Sequence, residues 1–291
     1  MSDELPAVWV NGDRRPPDGF HLSSRDRGLT LGDGVFETMR AYGGAVFRLD
    51  RHLARLAQSL AALEIPAPPE LRDWVRDAVH ALGRRDASIR LTVTRGIGPA
   101  GVPPPDEAHP TVIVALSPLP LFPAAIHDDG LTAHVASGRR NERAMTAGVK
   151  TLAYADAIAA WFEARRAGAD EAIFLDIEGH CSEATSSNLF VWTNGGALIT
   201  PPVSCGVLPG VTRGAVLELA RARGMPGGEL AFGLDELLAA KEAFLTSSVR
   251  EIAPLVRVGT QPIGRGTPGS VTREIAAAYA ALVARETRAA S

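Results

Sequence analysis

Ala172-Ile173-Phe174-Leu175-Asp176, Asn188-Leu189-Phe190-Val191-Trp192 and Ala197-Leu198-Ile199-Thr200 follow one another between positions 172 and 200. Each run is short, rich in β-branched and aromatic residues, and bounded by small polar residues or glycine, which is the signature of a strand. No helical spacing separates them, and Ala243–Thr246 supplies a further strand. Strands that do not alternate regularly with helices argue for an α+β fold with largely antiparallel sheets, and against a doubly wound one.

Working outward, Leu131–Ala136 is predicted to be a strand and Leu152–Arg166 a helix with Leu152, Ala155, Ile158, Ala159 and Phe162 on one side. Thr212–Arg223 reads as a helix ended by Gly224, and Ser270–Arg285 as the last helix. The first half carries predicted strands at Val8–Asn11, Val35–Tyr42, Val46–Leu49, Ile89–Thr94 and Thr111–Leu116, with Gly43-Gly44 as a hairpin turn. Its helices are predicted at Arg51–Leu63, with Leu53, Leu56, Leu60 and Leu63 on one face, and at Glu70–Leu82. A chain of 291 residues is long enough for two domains of about 150 residues each. The proline-rich stretch after Ser117 is the natural divider. The expected organisation is a small N-terminal domain over residues 1–117, a linker over 118–126 and a large domain over 127–291.

Composition narrows the function. The chain has 33 acidic and 30 basic residues, a net charge of −3, which gives no electrostatic case for a nucleic-acid or membrane partner. Hydrophobic residues make up 46%, enough for a sizeable core. Two cysteines, Cys181 and Cys205, cannot form a disulfide framework. Met1-Ser2-Asp3-Glu4 lacks the basic and apolar parts of a signal peptide, and prolines cut the apolar stretch Thr111–Ile126, so a cytoplasmic protein is expected.

Only Lys150 and Lys241 among the basic residues are lysine; the rest are arginine. A lysine that survives such a bias is a candidate for chemistry that a permanently charged guanidinium cannot do, above all nucleophilic or Schiff-base chemistry. Lys241 lies in a charged helical context, Glu236-Leu-Leu-Ala-Ala-Lys241-Glu242, and reads as surface. Lys150 falls just before the helix predicted from Leu152, whose positive end disfavours a resting cation.

Other motifs sort quickly. Gly96-Ile97-Gly98-Pro99-Ala100-Gly101 has dinucleotide-loop spacing, but Pro103-Pro104-Pro105 follows where a helix is needed, so it reads as a glycine-rich loop. The seven histidines and two cysteines show no metal-ligand spacing, and no metal is expected. No Gly-x-Ser-x-Gly elbow is present. Leu208-Pro209-Gly210-Val211-Thr212-Arg213 places free N–H groups and a hydroxyl at a helix start, which suits a phosphate as well as a plain cap. Glu183 sits among small polar residues before a strand. It reads as a turn carboxylate, or as one able to keep a heterocyclic nitrogen protonated.

Lys150, Glu183 and the Leu208–Arg213 turn, in this order, resemble the class IV, or fold type IV, pyridoxal-phosphate enzymes. That family holds branched-chain and D-amino acid aminotransferases, (R)-amine transaminases and aminodeoxychorismate lyases. The likeness extends over nearly the whole chain. Arg25-Asp-Arg-Gly-Leu-Thr-Leu31-Gly-Asp-Gly-Val-Phe-Glu-Thr38 is similar to the family's N-terminal signature, and Arg51-His-Leu-Ala-Arg55-Leu to its phosphate-arginine helix. Val149-Lys150-Thr-Leu-Ala-Tyr154 resembles the Schiff-base segment, Glu183–Phe190 and Thr200-Pro-Pro the cofactor elements, and Glu251-Ile-Ala-Pro254 after Thr246-Ser-Ser248 the C-terminal turn.

The resemblance implies a two-domain α+β fold, with a smaller N-terminal α/β domain and a larger one built on a mainly antiparallel β core. It implies a pyridoxal 5'-phosphate cofactor bound to Lys150 as a Schiff base, with Glu183 on the pyridine nitrogen. Arg55, Val211, Thr212 and Ser248 would hold the phosphate, and Tyr154 would lie near the cofactor. Thr38, Leu31, Arg90, Ser248 and Val249 would meet the substrate, with the Ser248-Val249 turn facing its carboxylate. Branched-chain enzymes have Tyr at the position of Leu31 and Gly at that of Thr38. The Gly98–Pro105 loop also lacks the Arg-x-His pair of D-amino acid enzymes, and the Arg95–Gly101 pattern looks like aminodeoxychorismate lyases. The expected activity is ping-pong transfer of an amino group from a D-amino acid, and from (R)-primary amines, to a 2-oxo acid, in a homodimer. The alternative is release of pyruvate and 4-aminobenzoate from aminodeoxychorismate.

Overall fold

In a computed structural model of the chain, residues 5–120 and 125–288 are described. Residues 121–124 of the expected linker and residues 1–4, on which the expectation about a signal peptide rests, lie outside them. The chain divides into two compact units, Met1–Pro120 with Val149–Ala153 and Val283–Ser291, and Leu121–Gly148 with Tyr154–Leu282.

The first unit contains β1 (Ala7–Val10), β2 (Asp13–Arg15), α1 (Arg27–Leu31), β3 (Gly34–Tyr42), β4 (Ala45–Val46), α2 (Leu49–Ala62), α3 (Leu71–His80), β5 (Ala87–Thr94) and β6 (Thr111–Ser117). Its six-stranded sheet has the order β2-β1-β6-β5-β3-β4, and every pairing is antiparallel. Period-two alternation sends Val35, Met39 and Ala41 of β3 and Ile89, Leu91 and Val93 of β5 to one buried face. Leu53, Leu56 and Leu60 of α2 cover that face, as their spacing predicts. Each such side chain contributes about 1.5–3 kcal/mol by leaving water. The strand predicted at Val46–Leu49 is only two residues long, because α2 already starts at Leu49.

The second unit contains α4 (Ala125–Asp128), β7 (Leu131–Arg140), α5 (Ala155–Arg166), β8 (Glu171–Asp176), β9 (Cys181–Ala184), β10 (Asn188–Trp192), β11 (Leu198–Thr200), α6 (Val211–Ala222) and β12 (Gly227–Glu229). It continues with α7 (Leu234–Ala239), β13 (Glu242–Ser247), β14 (Glu251–Val258), β15 (Gln261–Pro262) and α8 (Ser270–Arg288), the last helix crossing into the first unit at Val283. The sheet order is β12-β11-β10-β13-β14-β7-β8-β9, and β9 pairs back to β10, so six strands close into a barrel-like ring. Antiparallel pairings dominate; β7 pairs in parallel with both β8 and β14, and β11 with β12. This is the α+β, mainly antiparallel architecture expected.

All six residues of β8 are buried, because both of its faces are covered. Ile173 and Leu175 point into the ring core, whereas Ala172 and Phe174 meet Ala160 and Ala164 of α5. The buried side of α5 is not the expected one. The side marked by Ile158 and Phe162 faces outward, at 55% and 52% exposure, and the alanine side is buried. The large Phe174 ring occupies the space between strand and helix, so small residues are needed at the contact. The helix also starts at Ala155, leaving Leu152 and Lys150 in an extended segment ahead of it. Among the described residues no helix is long and apolar enough to cross a membrane.

Candidate active site

In the first unit, the segment carrying Lys150 lies along the start of β3. The Lys150 carbonyl accepts the Phe36 N–H at 3.0 Å, and Leu152 N–H donates to Gly34 O at 3.0 Å. A Cβ on Gly34 would stand 2.7 Å from Val93 O and 2.8 Å from the Leu152 side chain, so glycine is what allows the segment this close. Ser59 of α2 accepts the Lys150 N–H at 3.4 Å. The expectation of a helix start at Lys150 is therefore replaced by a different environment. Its Nζ lies 4.2 Å from the centroid of the buried Phe36 ring. The guanidinium of Arg90 stacks on the same ring at 3.3 Å. Two cations sharing one ring repel each other, and an anion beside them relieves that repulsion. The arrangement places a guanidinium and an amine on one aromatic ring. Thr38, half-buried, is paired with Arg90 across the sheet and lies on the same face of β3 as Phe36. Leu31, at the end of α1, is 48% exposed.

The opposite face of β3 carries a buried ionic cluster. Glu37 accepts Arg55 Nε at 2.8 Å and Nη2 at 2.6 Å, and faces His52 Nδ1 at 2.7 Å. Burial pushes the Glu37 carboxyl up, but the hydrogen bonds from Arg55 and His52 outweigh it and hold the group below its ordinary range. Burial also disfavours the His52 cation, and nearby Arg55 and Lys150 act in the same direction, so its pKa is lowered despite Glu37. Sequence reading found Arg55 and missed Glu37 and His52. The available signal was a carboxylate in the inward row Val35, Glu37, Met39, Ala41, which demands a buried partner.

Arg27, buried at the start of α1, donates to Asp33 and to the carbonyls of Pro99, Gly101, Val102 and Pro103. The glycine-rich loop is thus tied down by a guanidinium, and no helix follows it.

In the second unit, Glu183 on β9 accepts the Leu208 N–H at 2.9 Å and Asn188 Nδ2 at 3.3 Å through Oε2, and Arg140 approaches its Oε1 at 3.4 Å. Arg140 reaches this place because β7 slips register against β8 between Val135 and Arg139, a bulge invisible in sequence. Its guanidinium also lies over Phe174, 4.5 Å from the centroid. Asn188 Nδ2 donates to Leu208 O at 2.9 Å, which fixes the loop ahead of α6. Gly210 caps α6, and a Cβ there would fall 2.0 Å from Asn188 Oδ1. Val211 and Thr212 open the helix; Thr212 is 3% exposed, and its Oγ1 has no hydrogen-bond partner among the described residues. A buried orphan hydroxyl at a helix start that no side chain caps fits an incoming phosphate.

Ser248 and Val249, both half-buried, form the turn from β13 to β14. Glu251-Ile-Ala-Pro254, expected as the turn, instead begins β14, with Pro254 opposite Phe244. Tyr154 stands at the start of α5, half-buried, and its carbonyl accepts Ile158 N–H at 3.0 Å. Lys241 is exposed, as expected, but follows α7 rather than lying within it.

Both cysteine thiols are pushed up by burial, with neighbouring carboxylates adding to it, Cys181 to about 12 and Cys205 to about 11. Asp176, His180 and Cys205 offer ligand atoms within 4.8 Å of one another, a grouping that the chain spacing hides. Asp176 already accepts the His180 N–H at 2.7 Å.

Residues 34–258 match the Amino-transferase class IV family. The chain is a class IV aminotransferase. This aminotransferase is 36% identical to a putative branched-chain-amino-acid aminotransferase of Methanocaldococcus jannaschii, over 92% of this chain and 93% of that protein. It is 34% identical to a D-alanine aminotransferase of Bacillus licheniformis, over 96% and 98%. Its fold superposes on a T.th. branched-chain amino acid aminotransferase with pyridoxamine 5'-phosphate, with a TM-score of 0.88, 30% identity and coverage of 95% and 93%. The cofactor of this class IV aminotransferase is pyridoxal 5'-phosphate, and its substrates are an amino donor and a keto acid acceptor.

Proposed function

We propose that the enzyme moves an amino group from a D-amino acid, and from (R)-primary amines, to a 2-oxo acid in two half-reactions, as a cytoplasmic homodimer. The observation that carries this reading is Arg90 beside Lys150 on the Phe36 ring. It sets a guanidinium next to the amine in a chain whose 98–105 loop lacks an Arg-x-His pair. The likeness to a D-alanine aminotransferase supports it.

Lys150 would hold the cofactor aldehyde and then carry the proton between the donor α-carbon and the cofactor C4′. Bound, the cofactor supplies an electron sink for the carbanion that this proton transfer leaves. Glu183, fixed by Leu208 and Asn188, would keep the pyridine nitrogen protonated. Thr212 Oγ1, the Val211 N–H, Ser248 and Arg55 would bind the phosphate. Tyr154 would lie beside the ring. Thr38, Leu31 and Arg90 would line the substrate side, and the Ser248–Val249 N–H groups would receive the carboxylate.

The test is a substrate panel with the purified holoenzyme. D-Alanine plus 2-oxoglutarate should yield pyruvate and glutamate, with cofactor absorbance cycling. Turnover of L-leucine but not D-alanine would replace this reading with branched-chain transamination. Release of pyruvate from aminodeoxychorismate alone would replace it with the lyase reaction, which Thr38 and the Arg95–Gly101 pattern favour.

A further inference from the structure

Glu171 opens β8 and is 2% exposed. Its Oε1 accepts Thr185 Oγ1 at 2.5 Å and the Ala172 N–H at 3.0 Å, and its Oε2 accepts Arg250 Nη1 at 3.2 Å. Thr185 belongs to the loop that follows Glu183, and its N–H donates to Ala172 O at 3.2 Å. Arg250 ends the Ser248–Val249 turn, and its N–H donates to Ser247 Oγ at 3.2 Å. The next residue, Glu251, sits at φ 62°, a left-handed conformation that a non-glycine residue keeps only where its surroundings hold it. One buried carboxylate therefore ties two separate stretches of chain, the Glu183 loop and the Ser248–Val249 turn, to the first residues of β8.

We propose that Glu171 is a positioning residue: through Arg250 it fixes the Ser248–Val249 turn so that its N–H groups converge on a substrate carboxylate. This rests on the reading of that turn as the carboxylate receptor. Glu171 touches no reacting atom in this scheme and acts through the backbone that it orients. A buried carboxylate held by its own strand's Ala172 N–H restricts where the arginine and the hydroxyl that it binds can go. Backbone donors bind an anion well only when their directions are fixed beforehand.

The experiment uses the holoenzyme and propionate, a probe with a carboxylate and no amine, its binding read from cofactor absorbance. Glu171→Gln and Arg250→Met should each weaken propionate binding and raise the KM for D-alanine about tenfold, as expected for losing one buried charge pair, with kcat within about twofold of wild type. Cofactor retention should not change. The double variant should regain thermal stability, because no unpaired charge remains buried, yet keep the weakened propionate binding. It also carries the test should a single variant fail to fold. Wild-type propionate affinity in Glu171→Gln, or its recovery together with stability in the double variant, overturns the proposal. Val249→Pro, which removes one of the turn's two N–H groups, separates the two readings. If it leaves propionate binding unchanged, the carboxylate role of the turn is wrong. If it weakens binding while Glu171→Gln does not, the role of Glu171 alone falls.

Discussion

Lys150 Nζ stands 4.2 Å above the ring of Phe36, whose backbone N–H is bonded to the carbonyl of that same lysine. Main chain and side chain of one residue are thus both referenced to another, and the amine is held over a fixed platform. Arg90 completes the platform from β5.

Removing the ring should loosen the amine without removing it. Phe36→Leu keeps an apolar side chain but loses a cation–π contact of about 0.5–2 kcal/mol for each cation. The expected outcome is a fall in kcat of roughly tenfold, the equivalent of about 1.4 kcal/mol. Steady-state kinetics on D-alanine checks this; unchanged kcat would show that the ring only fills space.

Glu183 and Lys150 should separate cleanly. Lys150→Ala should abolish turnover, and borohydride treatment should then leave no cofactor mass on the peptide spanning residue 150. Glu183→Gln should keep that mass in place but lower kcat by at least about 100-fold, the scale of losing an electrostatic stabiliser of the transition state. Near-normal turnover in Glu183→Gln would remove the residue from the proposed scheme.

Gly210→Ala should be costly although the helix-start φ of −64° suits any residue. The added methyl would meet Asn188 Oδ1 at 2.0 Å and push away the amide that joins Glu183 to Leu208 O. Overpacking of this kind costs about 1–3 kcal/mol. Thermal denaturation should show that loss together with faster cofactor release; a silent variant would mean that Asn188 can move freely.

His52 gives the fold a pH dependence whose sign is fixed. Burial lowers its pKa in the folded state from 6.5, so below that pH the unfolded chain binds a proton that the folded one refuses. The contribution is complete above pH 6.5 and is lost as pH falls through the lowered folded value. Glu37, also lowered, adds a loss beginning below its ordinary 4.5. His52→Gln keeps a donor toward Glu37 without a titrating ring. Its unfolding midpoint should therefore change less between pH 6.5 and 5 than that of the wild type. Parallel profiles would show that folding leaves the titration of His52 unchanged.

Much of this fold was legible because alternation and burial coincide. β5 and β8 were found from their residue types, and Leu53, Leu56 and Leu60 lie where their spacing puts them. β14 was missed because the family resemblance makes Glu251-Ile-Ala-Pro254 a turn, whereas the ring accommodates Pro254 in a strand opposite Phe244. The α5 face was misread because hydrophobicity ranks Ile158 and Phe162 above Ala160 and Ala164, whereas the space left by Phe174 selects for size. In the site, Lys150 stood out by scarcity and Glu183 by its polar surroundings. Glu37, Arg140 and Glu171 depend on partners that only the folded chain brings near: His52 and Arg55 from a helix, a slipped strand register, and Arg250 at 3.2 Å.

The pairing of a half-buried Lys150 with an exposed Lys241 gives the protein an internal ruler for labelling. Apart from the chain's α-amino group, an acylating reagent has just these two amines to modify. The surface amine reports reagent dose, and the other reports whether the aldehyde has claimed it. The ratio of two tryptic fragments then gives holoenzyme occupancy directly, even in a crude extract and without any assay of turnover.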